Sequence, residues 1–220
     1  MKAYFISGLG ADKKAFYKIK LPAAFTPVYL DWVTPLTGES LKEYSIRFSS
    51  FINDGEDFVL IGLSFGGMIA SEIARIKQPK KLILLSSIAT STEMPWYFRM
   101  AGKAGIQKII PVSLYKRATL LNHFMGSKSK NDKAMVRSFV EQTDPSFIQW
   151  AIDAILGWKQ QQRFVNVVHI HGDKDRLLPI KFTNADHIIR NGKHLMILNK
   201  SDEINKILSE VLSADQLSSI

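Results

Sequence analysis

The chain contains no cysteine, which excludes disulfide bonds, thiolate metal sites and a thiol nucleophile and fits a reducing compartment. A cytoplasmic protein is therefore expected. No run of about 18 apolar residues is present, so no segment is expected to insert stably in a membrane. The opening MKAYFISGLG has a single lysine and too short an apolar stretch for a secretory leader. No internal repeat and no low-complexity tract interrupts the chain. Acidic residues are scarce, with 20 Asp and Glu against 29 Lys and Arg, for a net charge of +9. Most of this excess lies between Trp96 and Arg163, where eleven basic residues face four acidic ones. These residues are scattered along helical-looking stretches without a nucleic-acid motif. They read as a solvated basic face, or as a patch that attracts anionic substrates, and nucleic acid is not an expected partner.

What is present describes a globular domain. The 220 residues are 46% hydrophobic and 22% charged, enough for one domain that buries roughly 70% of its unfolded surface. Five short apolar segments rich in β-branched and aromatic residues read as strands: 3–8, 26–32, 57–64, 81–87 and 166–172. A sixth candidate surrounds His187. Between them lie helical patterns at 15–20, 41–52, 67–77 and 202–212, the last placing Ile204, Ile207, Leu208 and Val211 on one face. Strands too apolar to face water, alternating with helices, predict an α/β fold with a mostly parallel sheet and helices on both faces. From 92 to 162 no strand is evident and Trp and Phe recur among basic residues. This stretch reads as a helical insertion, with 126–133 (GSKSKNDK) as its loop.

Within VLIGLSFGGM (59–68), Ser64 interrupts an apolar run and stands between Gly62 and Gly66. A strand entering Gly-x-Ser-x-Gly and leaving as a helix forces a sharp turn that lifts the serine hydroxyl above the sheet. The free N–H groups at the helix start, notably that of Phe65, then point where an oxyanion develops. A serine nucleophile needs a base, and the base needs an orienting acid. Asp173 and Asp175 follow an apolar strand in HIHGDKDRLLP, and His194 sits on a Gly-containing turn in NGKHLMIL. Both sites belong at the carboxyl edge of the sheet, where open α/β sheets bind ligands. Either aspartate can face His194 from an irregular loop. The remaining histidines, His123, His169, His171 and His187, read as structural, and His169, His171 and Asp173 form only a weak metal pattern.

These residues resemble the α/β-hydrolase superfamily, in particular its small esterase- and lipase-like members, over nearly the whole chain. GLSFGG is similar to the nucleophile elbow, HGDKDRLLP to the Gly-x-x-Asp-x-x-x-Pro acid loop, and NGKHLMIL to the histidine loop before a terminal helix. The resemblance implies Ser64 as nucleophile, His194 as general base and then acid, and Asp175 as the orienting acid. SGLG at 7–10 resembles the oxyanion turn, so the Leu9 N–H joins that of Phe65. Residues 1–91 and 163–220 correspond to the hydrolase core and 92–162 to a helical lid, with Met94, Trp96 and Trp150 as candidate substrate-binding residues. The implied reaction is cleavage of an ester or thioester of a small apolar acyl group through an acyl-enzyme, without a cofactor. Carbon–carbon bond hydrolases, acyltransferases and thioesterases share the fold, and a non-catalytic ligand-binding relative is the alternative of another class. Ser7 stands where the family usually has a histidine, the family's two leading strands are missing, and the helix after Pro179 shrinks to IKFTN.

Overall fold

The computed structural model describes residues 1–105 and 129–217. Its centre is a six-stranded, all-parallel sheet: β1 (Lys2–Ile6), β2 (Thr26–Leu30), β3 (Phe58–Leu63), β4 (Lys81–Leu85), β5 (Val167–Gly172) and β6 (His187–Ile189). The spatial order is β2-β1-β3-β4-β5-β6. The chain winds from β1 to one edge, returns to β3 on the other side of β1, and continues to the opposite edge. Strand order therefore reverses between β1 and β3, and the crevice outside their carboxyl ends is where such sheets bind ligands.

The strands read as continuous apolar runs because both faces of the sheet are covered. Side chains alternate across a strand, so each run divides between two cores. Tyr4, Ile6, Leu60, Leu82 and Leu84 pack on one face with Tyr44 and Phe48 of α1 (Leu41–Phe48) and Ile69 and Ile73 of α2 (Phe65–Lys77). Ala3, Phe5, Val59, Ile61, Ile83 and Leu85 pack on the other with Phe16 and with Ile204, Leu208 and Leu212 of the terminal helix. β2 is an edge strand, and it tolerates the exposed Pro27 because an edge residue need not donate to a ladder. Helix α1 starts at a capping box: the Ser40 hydroxyl accepts from the Glu43 N–H while the Glu43 carboxylate accepts from the Ser40 N–H.

Between β4 and β5 the described residues form α3 (Trp96–Lys103), α4 (Lys130–Gln142) and α5 (Pro145–Leu156), with no strand among them. The loop expected over 126–133 is corrected for its second half. The Ser129 hydroxyl accepts from the Asp132 N–H at 2.9 Å and starts α4 at Lys130; an N-cap serine overrides the loop-like composition of SKND. Residues 126–128, His123 and part of the basic stretch lie outside the described residues. After α5, the buried Trp158 indole donates to the buried Glu72 carboxylate of α2 at 2.7 Å and ties the returning chain to the core. The chain ends in a single turn, α6 (Met196–Asn199), and in α7 (Ser201–Leu217). The helix expected over 15–20 is only a 3-10 turn at Lys13–Phe16. Among the described residues no helix is long and apolar enough to cross a membrane.

Candidate active site

Ser64 joins β3 to α2 with φ 51° and ψ −119°, a conformation outside the regions a non-glycine residue ordinarily occupies. Such a residue costs on the order of 1–3 kcal/mol and persists only when its surroundings hold it. The hold is visible. The Ser64 N–H donates to the Leu85 carbonyl at 2.9 Å, and its carbonyl accepts from the Ser87 hydroxyl at 2.6 Å and the Gly67 N–H at 2.9 Å. The neighbouring glycines are required by close approach: a Cβ on Gly62 would collide with Gly67, and one on Gly66 with the carbonyls of Ile6 and Ser7. The strained backbone belongs to the serine itself.

His194 follows β6, and its Nε2 lies 2.9 Å from the Ser64 hydroxyl. Its Nδ1 lies 2.7 Å from Asp175 Oδ2. The other carboxylate oxygen of Asp175 accepts from the N–H groups of Leu177 and Leu178 at 2.8 and 2.9 Å. Burial alone would raise the Asp175 pKa. The His194 ring and its hydrogen bond, the nearby His171 and the Leu178 amide together hold it below the ordinary carboxylate value. An ionised Asp175 accepts a hydrogen bond from the Nδ1–H and so leaves the Nε2 lone pair for the serine hydroxyl. Both His194 and Asp175 are buried while Ser64 is partly open. Asp173 is not part of this chain: its Oδ1 is enclosed and has no hydrogen-bond partner.

Beside the serine, Gly8 to Ala11 form a turn closed by the Ala11 N–H on the Gly8 carbonyl at 2.9 Å, with Gly10 at φ 71°. A Cβ on Gly8 would sit 3.5 Å from that of Ser64, so the turn lies against this serine. Leu9 occupies the second position of this turn, where the N–H makes no turn bond. Phe65, the first residue of α2, has no intrahelical acceptor. Ser7, at the position where a histidine was the expected pattern, donates its hydroxyl to the Ala11 carbonyl, which also accepts the Trp32 indole N–H at 3.0 Å. The Thr143 hydroxyl, between α4 and α5, lies 3.1 Å from the Gly10 carbonyl.

Aromatic rings cluster beside the elbow. Trp32 stacks on Phe65 at 5.5 Å and meets Phe147 at 5.4 Å, while Trp150 meets the Phe65 ring edge-on at 5.9 Å. Of the candidate substrate residues, Trp150 is thus brought beside the elbow, and its indole donates to the Glu39 carbonyl at 2.7 Å. Met94 is buried in the core, and Trp96 is 55% exposed on α3 against Tyr97. A groove of about 590 Å³ runs past Trp150, Glu39 and Asp153, but neither Ser64 nor His194 lines it. Trp32, Ser87 and His171 were not singled out as site residues by sequence. Ser87 lies two residues after the apolar β4 run, and His171 precedes the acid-loop glycine, which are the only local signals available.

His169 and His171 lie wholly buried behind the acid, with His169 Nε2 3.1 Å from His171 Nδ1. Burial, reinforced by His171 and Arg163, pushes His169 down to about 3 from an ordinary 6.5. Burial also lowers His171, against the upward pull of Asp175 and the Leu178 carbonyl. A neutral buried histidine resists the proton that its unfolded counterpart takes below about pH 6.5, so stability is lost as pH falls from there toward 3. Each such group adds a slope of up to about 1.4 kcal/mol per pH unit. Glu93, whose carboxyl burial holds above its ordinary value, works in the opposite direction. Urea unfolding from pH 7 to pH 4 is expected to show falling stability, and His169→Gln a shallower slope; equal slopes would contradict the neutral His169.

Among the described residues no group of three His, Asp or Glu is placed to hold a metal ion. The fold and the serine–histidine–aspartate geometry define an α/β-hydrolase. Residues 4–206 match the alpha/beta hydrolase family model, and the chain belongs to that family. A thermophilic esterase superposes with a TM-score of 0.67 at 18% identity, covering 96% of this chain and 89% of its own. A lipase-esterase related protein from Clostridium acetobutylicum gives 0.68 at 16% identity, covering 94% and 92%. A bromoperoxidase from Bacillus anthracis gives 0.70 at 12% identity, covering 96% and 91%. At these identities the likeness is one of fold. No curated protein sequence matches the chain.

Proposed function

We propose that this chain is a serine hydrolase that cleaves an ester or thioester of a small apolar acyl group. The observation that carries the reading is the unbroken hydrogen-bond chain Ser64–His194–Asp175, with the N–H of Leu9 on the neighbouring turn and that of Phe65 at the start of α2 beside it. His194 Nε2 takes the Ser64 proton as the hydroxyl oxygen attacks the acyl carbon, and Asp175 stabilises the resulting imidazolium. The N–H groups of Leu9 and Phe65 hold the oxyanion. Collapse of the tetrahedral intermediate breaks the acyl–oxygen or acyl–sulfur bond, and His194 returns the proton to the leaving alcohol or thiol. Water then attacks the acyl-Ser64 ester with the same base, releasing the acid and restoring the serine.

Residues 1–91 and 163–220 act as the catalytic core in this reading, and 92–162 as a lid. The aromatic cluster of Trp32, Phe65, Phe147 and Trp150 beside Ser64 supports an apolar acyl group over a sugar. The test is a series of p-nitrophenyl acetate, butyrate, octanoate and the corresponding acyl thioesters, with Ser64→Ala as control. Serine-dependent turnover that peaks at a short acyl chain is expected. Serine-independent turnover, or bound ligand without any turnover, would overturn the reading in favour of another chemistry or of a binding protein on this fold.

A further inference from the structure

Ser64, His194 and Asp175 leave two buried histidines unused, although one of them, His171, touches Asp175. His171 Nε2 lies 2.7 Å from the Leu178 carbonyl and 3.4 Å from Asp175 Oδ2. A carbonyl oxygen only accepts, so His171 Nε2 carries the proton. In the neutral ring the Nδ1 lone pair must then accept, and its partner is His169 Nε2 at 3.1 Å. The tautomers of both rings are thereby fixed. His169 Nδ1 is left enclosed without a hydrogen-bond partner, 4.0 Å from the buried Glu93 carboxylate, which itself accepts from the Ala89 N–H at 3.1 Å and Arg163 at 3.3 Å.

Leu178 closes a small ring. Its N–H donates to Asp175 Oδ1 while its carbonyl accepts from His171, so Leu178 ties the loop to the carboxylate through one bond and to the His171 ring through the other. A histidine that merely filled space would leave the loop to its own amides. Here the ring anchors the loop to β5, and the positive end of its N–H dipole lies against the same carboxylate oxygen that accepts from His194.

We propose that His171 is a positioning residue of the catalytic centre: its Nε2–H, anchored on the Leu178 carbonyl, fixes the Asp175 carboxylate that orients His194. The proposal rests on the serine-hydrolase reading. The groups that face His171 are Asp175 and His194 across the acid loop, and His169 on its own strand, with Glu93 and Arg163 beyond. Its role is carried through Asp175, and His171 does not touch the reacting atoms.

Three variants separate this from a packing role. His171→Gln keeps an N–H near the Nε2 position, His171→Asn keeps polarity but cannot reach it, and His171→Leu keeps volume without a donor. Turnover of p-nitrophenyl acetate, the rate of fluorophosphonate labelling, and the downfield proton resonance of His194 Nδ1–H are measured on each folded variant. Misplacement of the base is expected to lower kcat on the order of 10- to 100-fold in the Leu and Asn variants with little change in KM. The downfield proton should move in both, and the Gln variant should restore rate and resonance to within a few-fold of the native protein. The resonance needs no substrate. Native kcat and an unmoved resonance in His171→Leu or His171→Asn would overturn the role. So would equal losses in all three variants, which indicate packing alone. If Ser64→Ala is inactive while His171→Leu is normal, only this inference falls; if Ser64→Ala stays active, the serine reading falls and takes the inference with it.

Discussion

Replacing Ser64 by alanine is expected to lower ester turnover on the order of 10⁵- to 10⁶-fold, because no other group in the site can form the acyl-enzyme. Among the described residues, Ser64 combines a backbone of positive φ with a hydroxyl 2.9 Å from His194 Nε2. Ser7 and Ser87, at the ends of β1 and β4, donate their hydroxyls to backbone carbonyls. A fluorophosphonate probe should therefore add once, on the peptide carrying Ser64, and intact mass should show no adduct in Ser64→Ala. Thermal unfolding of the variant should stay close to the native profile, since the Ser64 carbonyl and N–H bonds belong to the backbone. Labelling on another residue, or retained turnover, would remove the serine mechanism.

Asp175→Asn is expected to reduce turnover on the order of 10⁴-fold, through the wrong imidazole tautomer and the lost stabilisation of the imidazolium. An asparagine amide can present an N–H to Nδ1, so the ring proton moves to Nε2 and the serine hydroxyl faces a donor. Asp173→Asn should cost less than about 10-fold, because Asp173 has no hydrogen bond to His194 and its Oδ1 meets no donor. Replacing this partly exposed side chain should leave the fold intact. The two variants are compared by kcat with p-nitrophenyl acetate at one pH, and the reverse ranking would transfer the orienting role to Asp173.

Much of the fold was legible in sequence for a local reason. A strand covered on both faces is apolar at nearly every position, and an elbow that brings Gly66 against the Ile6 and Ser7 carbonyls leaves no room for a Cβ. Such demands are written in a few adjacent residues. The parallel α/β sheet, the helix after Ser64 and the terminal amphipathic helix could all be read in this way. The start of α4 could not, because a single capping serine outweighs a loop-like composition there.

The choice between two aspartates was open in sequence, since both sit on one irregular loop after β5. The structure joins Asp175 to a histidine 19 residues away through loop amides that no pattern of residue types specifies. The alternation of His169 and His171 places both on one strand face, but not that face behind the acid. The outer bonds of the Gly8–Ala11 turn likewise come from Ser7 and from Trp32, 21 residues from Ala11. The sequence by itself determined the class of fold, the position of the elbow and the order of serine, acid and histidine, because backbone sterics and strand periodicity act between neighbours. Only the tertiary structure decided which carboxylate reaches His194, what holds the turn beside Ser64 and where His171 points, because hydrogen bonds between distant segments depend on how the sheet brings their ends together.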